Sequence, residues 1–312
     1  MLRYLVVLAG AVSVIAGALG FLIWSEQRPE AFYLSDLRSE IITPHNAYRA
    51  QLLLIRPELY PLDFQSVSHL ELKLTAALDH AKAQELLTPK TLVALPEHIG
   101  TWLLATGEKA EFYRARNRLE VRNWLLLGNP VLAIEVLLRN LDANRLDEAL
   151  LRMKAQQMAH DYQDLFSRLA KKYQITLLAG SILLPEPGLK AGKLYAGDGP
   201  LENLSLIFNP DGSLQNAPYL EPWPWTQGAT KAQNVMLGQT ELTVERSWQP
   251  GYPSSQIRNL ATGQVSSQLF LRGQLSWPIG GAGNDVKLTP AFAPQASQAR
   301  GSHLLLEHIT SP

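Results

Sequence analysis

Cysteine is absent from the 312-residue chain, and several chemistries go with it: disulfides, thiolate metal sites, lipid attachment through sulfur and cysteine nucleophiles. An excess of charge of one sign is also missing. Lys+Arg and Asp+Glu each total 28, so the formal net charge is zero. Phosphate backbones are gripped by clustered positive charge, so nucleic acid is not an expected partner. There is no internal repeat and no charge run. The seven histidines are scattered without the spacing of a zinc site. The run Gly280-Gly281-Ala282-Gly283-Asn284 lacks the Lys-Ser/Thr and helix of a phosphate loop and reads as a turn. No metal and no cofactor is implied. What remains is a folded-protein composition, 46% hydrophobic and 18% charged, long enough for one large or two medium domains.

One stretch stands apart. Tyr4 to Trp24 run for 21 residues without a charge, and a helix of that length rises about 30 Å, the thickness of a bilayer's hydrocarbon core. Ala16-Gly17-Ala18 resembles a signal-peptidase site, but Phe21-Leu22-Ile23-Trp24 carries the apolar run beyond it, which favours a retained anchor over a cleaved signal. Arg3 and the amino terminus precede the span, whereas Glu26, Arg28 and Glu30 nearly cancel after it. The positive-inside rule therefore leaves the N-terminus in the cytoplasm and exports the rest. The expected localisation is a single-pass membrane protein whose C-terminal domain faces outward, the periplasm in a bacterium.

The body alternates strands and helices. Leu52-Leu53-Leu54-Ile55 is an apolar run too short for a helix and reads as a buried strand. Val67 to Leu87 follows with Leu70, Leu74, Leu78 and Ala81 at helical spacing. Thr91 to Leu95 is a second buried strand, stopped by Pro96. Strand, helix, strand in this span predicts a parallel βαβ unit. Residues 103–141 look helical but irregular, broken at Pro130. Leu146 to Tyr173 carries the clearest helical face, marked by Leu146, Leu150, Met153, Met158, Tyr162, Leu165 and Leu169. Ile175 to Leu184 and Leu204 to Phe208 read as strands, the latter closed by the turn Asn209-Pro210-Asp211-Gly212. Beyond about residue 215 helices vanish, and short strands are expected at 241–246, 268–275 and 303–309. Trp223 and Trp225, set between prolines, could pack on the sheet or form an exposed, membrane-surface contact.

The ends of the strands carry the functional signal. Val93-Ala94-Leu95-Pro96-Glu97 sets a carboxylate just past the C-terminal end of a buried strand, the edge where α/β sheets bind ligands. A glutamate after a strand can also be a cap or a surface carboxylate near a turn. Leu177-Leu178-Ala179-Gly180-Ser181 is a later strand ending in Gly-Ser, and Glu202-Asn203-Leu204-Ser205-Leu206-Ile207 leads into Asn209-Pro210-Asp211-Gly212. In this order, over about residues 48–216, the chain resembles the nitrilase (carbon–nitrogen hydrolase) superfamily. The resemblance implies an α/β fold, an α-β-β-α sandwich, preceded here by the transmembrane helix and incomplete or degenerate in its C-terminal third. The expected organisation is an anchor over 1–25, a linker or peripheral strand over 26–48 and a nitrilase-like domain over 49–312. Residues 49–216 of that domain are recognisable, and 217–312 are divergent or truncated.

The resemblance also implies a Glu-Lys-Cys triad that hydrolyses amide or nitrile C–N bonds. In that scheme the base deprotonates the thiol, the sulfur attacks and the lysine stabilises developing charge. Glu97 occupies the general-base position. The lysine expected soon after the Pro-Asp-Gly turn is missing from residues 214–223; Lys231 is the nearest, either a displaced substitute or a solvated charge. The outline Leu242 to Ser247 followed by Tyr252-Pro253 puts Ser247 where the cysteine would be, as a weaker nucleophile or an exposed loop serine. His98 could carry protons, although the family scheme does not use it.

Three functional readings follow. The favoured one is a membrane-tethered nitrilase-like protein with a degraded site, acting as a binding or scaffold module or having no present function. The second is an active hydrolase using Glu97 with Ser247. The third is a lipoprotein-type acyltransferase, ranked last because that branch has a multi-helix membrane domain. Expected partners are the membrane, through the N-terminal helix, a small amide substrate or ligand, and a second copy of the chain, since nitrilase-like domains commonly pair through a helical face.

Overall fold

The computed structural model describes residues 2–27, 34–42, 52–139, 146–223, 232–249, 252–273, 276–278, 285–287 and 300–309. It opens on α1 (Leu2–Glu26), whose segment Val6–Glu26 is long and apolar enough to cross a membrane and is exposed along most of its length, Ser25 near its end being buried. Then come β1 (Ser39–Ile42), β2 (Leu52–Arg56), the short β3 (Glu58–Leu59), α2 (Val67–Ala83) and β4 (Leu92–Ala94). The irregular helical region resolves into α3 (Ala110–Tyr113), α4 (Arg118–Gly128) and α5 (Pro130–Arg139), and α6 follows over Leu146–Tyr173. The junction between α4 and α5 falls at Asn129, immediately before Pro130, as proline demands of the residue that precedes it.

β5 (Thr176–Pro185), the hairpin of β6 (Gly188–Lys190) and β7 (Lys193–Tyr195), β8 (Leu201–Phe208) and β9 (Tyr219–Pro222) come next. The β-rich remainder holds β10 (Ala232–Leu237), β11 (Thr240–Gln249), β12 (Tyr252–Asn259), β13 (Arg272–Gly273), β14 (Ser276–Pro278), β15 (Asp285–Lys287) and β16 (Ser302–Glu307).

Seven strands form the main sheet in the order β1-β16-β2-β4-β5-β8-β9. β2, β4 and β5 are mutually parallel, so the expected βαβ unit is present with α2 as its crossover. β8 and β9 extend the sheet antiparallel beyond β5, and β16 pairs antiparallel with β2 on the other side. The polar stretch after α1 supplies β1, an edge strand parallel to β16.

The apolar runs are continuous rather than alternating because both faces of this sheet are covered. Leu53, Ile55, Val93, Leu177, Leu204 and Leu206 join a core with side chains of α2, α3, α4 and α6. The alternate residues Leu52, Leu54, Leu92, Leu178 and Ile207 join a second core with Val235, Leu242, Val244 and Ile257 of the antiparallel sheet β10-β11-β12. Helices thus lie on one face and a small sheet on the other, and no helix contributes a described residue to the second core. The small sheet buries one side only, so β10 alternates exposed and buried residues along its length.

Candidate functional site

β4 delivers its carboxylate through a tightly stapled loop. Leu95 donates its N–H to the Leu178 carbonyl, and Gly100 donates to Ser181 O, both at 2.9 Å. His98 donates its backbone N–H to Ser181 Oγ at 2.8 Å. Gly180, at φ +73°, lets the chain approach so closely that an added Cβ would lie 2.2 Å from Pro96 O. The Gly-Ser pair lies inside β5, at the register shift between Leu178 and Ser181, and does not end the strand. It is a backbone device, the glycine permitting the contact and the serine tying the loop that follows Glu97.

Glu97 points into the layer between the two sheets and is buried. There it meets Arg246 of β11, whose Nε donates to Glu97 Oε1 at 3.0 Å. Asn203 of β8 donates from Nδ2 to Glu97 Oε2 at 3.3 Å. Arg246 also donates from Nη2 to Gln233 Oε1 of β10 at 2.5 Å, and its guanidinium lies 4.5 Å from the centre of the Tyr219 ring. Leu242, Val244 and Arg246 are alternate residues of β11 and all are buried, so the arginine occupies the third inward position of a strand whose other two are apolar. Tyr219 donates its hydroxyl to Glu221 Oε1 at 2.7 Å, and burial pushes that phenol well above the ordinary tyrosine range.

Three further polar atoms in this layer, Arg246 Nη1, Asn203 Oδ1 and Ser205 Oγ, are buried without a hydrogen-bond partner among the described residues. Together they supply a cationic donor, an acceptor and a hydroxyl, the set that a water or small polar molecule satisfies.

The sequence-derived candidates separate in space. Glu97 lies at the inter-sheet centre just described. Ser247 is exposed, one residue beyond the inward-facing Arg246, and its Oγ lies 3.0 Å from Ser254 Oγ across the hairpin. Glu97 and Ser247 are therefore not brought together. Lys231 and Trp225 lie outside the described residues. Trp223 is buried, with its ring 5.2 Å from that of His98 in an edge contact. His98 itself is fully buried, its Nδ1 is 3.1 Å from Thr101 Oγ1, and its backbone is left-handed at φ +59°. Burial, reinforced by the Arg246 charge and opposed by Glu97, pulls its pKa down to about 4, so the imidazole is neutral at physiological pH.

Sequence reasoning missed Arg246, Asn203, Gln233 and Tyr219 as members of this centre. One signal was available. A lone arginine at an inward position of a half-buried strand needs a buried counter-charge, and Glu97 was the carboxylate already singled out. No family model and no curated protein matches this chain.

Proposed function

We propose that the chain is a membrane-tethered, nitrilase-like binding or scaffold module that does not hydrolyse C–N bonds. In this reading Glu97 has exchanged the role of general base for that of counter-ion. The observation that carries it is the 3.0 Å contact between Glu97 Oε1 and Arg246 Nε, both side chains being buried. A general base must reach the proton it abstracts. Here one carboxylate oxygen is engaged by a guanidinium and the other by Asn203. The sequence offers no thiol, and the serine nearest in register is exposed on the other side of its strand.

Support for nitrilase ancestry is the co-occurrence of a Pro-Glu after one parallel strand, a Gly-Ser in the next and a Pro-Asp-Gly turn after the adjoining antiparallel strand. Tethering rests on the apolar helix α1, and the outward orientation of the domain on Arg3 preceding it. The unpartnered atoms of Arg246, Asn203 and Ser205 suit a small polar ligand or water at the closed centre.

The test is turnover of aliphatic and aromatic amides and nitriles by the detergent-solubilised full chain, read as ammonia release. No release above the Glu97→Gln variant is expected. Hydrolysis by the unaltered protein that disappears in Glu97→Gln overturns the reading.

A further inference from the structure

The C-terminal end of α1 is held by the domain itself. Lys109, buried just before α3, donates from Nζ to the carbonyls of Trp24 at 2.5 Å and Gln27 at 3.0 Å, and its ammonium lies 3.9 Å from the centre of the Trp24 ring. A cation on the last carbonyls of a helix is favoured by the helix dipole. A tryptophan at the end of an apolar span marks the level of the lipid headgroups. The segment that continues from Lys109 is therefore fixed beside the point where α1 would leave a bilayer, and α4 itself meets α1.

That segment exposes two features in succession. Around α3 and the start of α4, Arg114 and Arg116 are exposed and Arg122 half-buried. From α4 into α5, Leu119, Leu127, Val131, Leu132 and Ile134 are exposed aliphatics, Val131 and Ile134 at 67% and 60%. The only exposed acid among the described α5 side chains is Glu135. Exposed aliphatics on consecutive helices, preceded by arginines, are the composition of a segment that lies in a membrane interface. Its arginines would meet anionic headgroups, which attract basic groups held near such a surface.

We infer that α4 and α5 form a membrane-docking surface, seated in the interface of an anionic bilayer beside the exit point of α1. The inference rests on the reading of α1 as an anchor. The domain would then lie against the lipid instead of hanging from its linker, and Lys109 would set the angle.

The cysteine-free chain makes the test direct. Single-cysteine variants of the full chain, Ile134→Cys, Val12→Cys in α1 and Lys171→Cys, are labelled with an environment-sensitive fluorophore. They are reconstituted into phosphatidylcholine vesicles with and without phosphatidylglycerol, some bearing brominated acyl chains. Lys154 of α6 donates to Glu108, which accepts from Asn129 at the α4–α5 junction; Lys171 lies 17 residues farther along α6, about 25 Å away. A blue shift at Ile134 with quenching by brominated lipid is expected. It should be stronger with phosphatidylglycerol, weakened by Arg116→Glu with Arg122→Glu, and absent at Lys171. Quenching at Val12 with none at Ile134 overturns the docking surface and leaves the anchor standing. No quenching at Val12 overturns the anchor and the docking surface with it. A blue shift at Ile134 that brominated lipid does not quench assigns the face to a second protein copy and overturns the lipid assignment.

Discussion

Arg246 Nε lies 3.0 Å from Glu97 Oε1 across 149 residues of sequence, and neither side chain reaches solvent. Removing one member of such a pair strands a charge in a medium of low dielectric, at a cost of about 3–5 kcal/mol. Replacing both by apolar residues of similar volume removes that penalty. Glu97→Leu and Arg246→Met should therefore each lower the thermal midpoint of the full chain in detergent substantially, and the double variant should recover most of the loss. A double-mutant cycle measures the coupling directly. Additive losses would show that the two groups are energetically independent.

Gly180 should not tolerate a side chain. Its φ of +73° is unfavourable for alanine, and the new Cβ would lie 2.2 Å from Pro96 O, an atom of the backbone that cannot rotate away. Gly180→Ala is expected to cost at least about 2 kcal/mol, because β4 and β5 would be wedged apart where they carry Glu97 and Ser181. A denaturation midpoint within the range of neutral surface substitutions would contradict the close approach.

His98 makes the fold acid-sensitive. Its imidazole titrates near 6.5 when unfolded and near 4 when folded, chiefly because burial opposes charge. Between those values the unfolded state binds more protons, so stability is complete above about pH 6.5 and falls as pH drops toward 4. The loss from this group is on the order of 3 kcal/mol. His98→Asn keeps a residue type that accepts the left-handed backbone and removes the titration. Melting temperatures measured across that range should fall less steeply for the variant.

Ser247 should be dispensable. Its contact is with Ser254 at an exposed position, so Ser247→Ala is expected to change stability by less than about 0.5 kcal/mol. A serine-directed electrophile should label the unaltered protein no more than the variant. Selective labelling lost on Ser247→Ala would restore the hydrolase reading.

Much of the layout was legible because its signals are local. The helical spacing of α2 and α6, the four-residue apolar run Leu52–Ile55 of β2, and the Pro and Gly of the Asn209–Gly212 turn each follow from short-range chemistry. Gly212 does donate its N–H to Asn209 O at 2.8 Å to close that turn. The site was legible only in part, because it is assembled from afar. Glu97 announces itself by its place after β4, but its partners Asn203 and Arg246 come from β8 and β11, and those of Arg246 from β9 and β10, with no local pattern in common. Asn203 precedes the stretch read as a strand, Leu204 to Phe208, but lies within β8 and faces the small sheet because alternate β8 residues do. Lys109 bound to Trp24 is likewise invisible in sequence, since nothing in a solvated-looking lysine reveals the carbonyls it reaches.

β16 sits between β1 and β2, with Leu304 beside Ile41 on one side and Ile55 on the other. Two early strands are thus held apart, and joined, by one made roughly 250 residues later. While the ribosome is still working, the main sheet has a gap at this seam. The emerging polypeptide, already fastened at its start if α1 inserts, must wait with that groove unfilled until residues 302–307 are synthesised. This part of the molecule therefore cannot close until β16 has emerged.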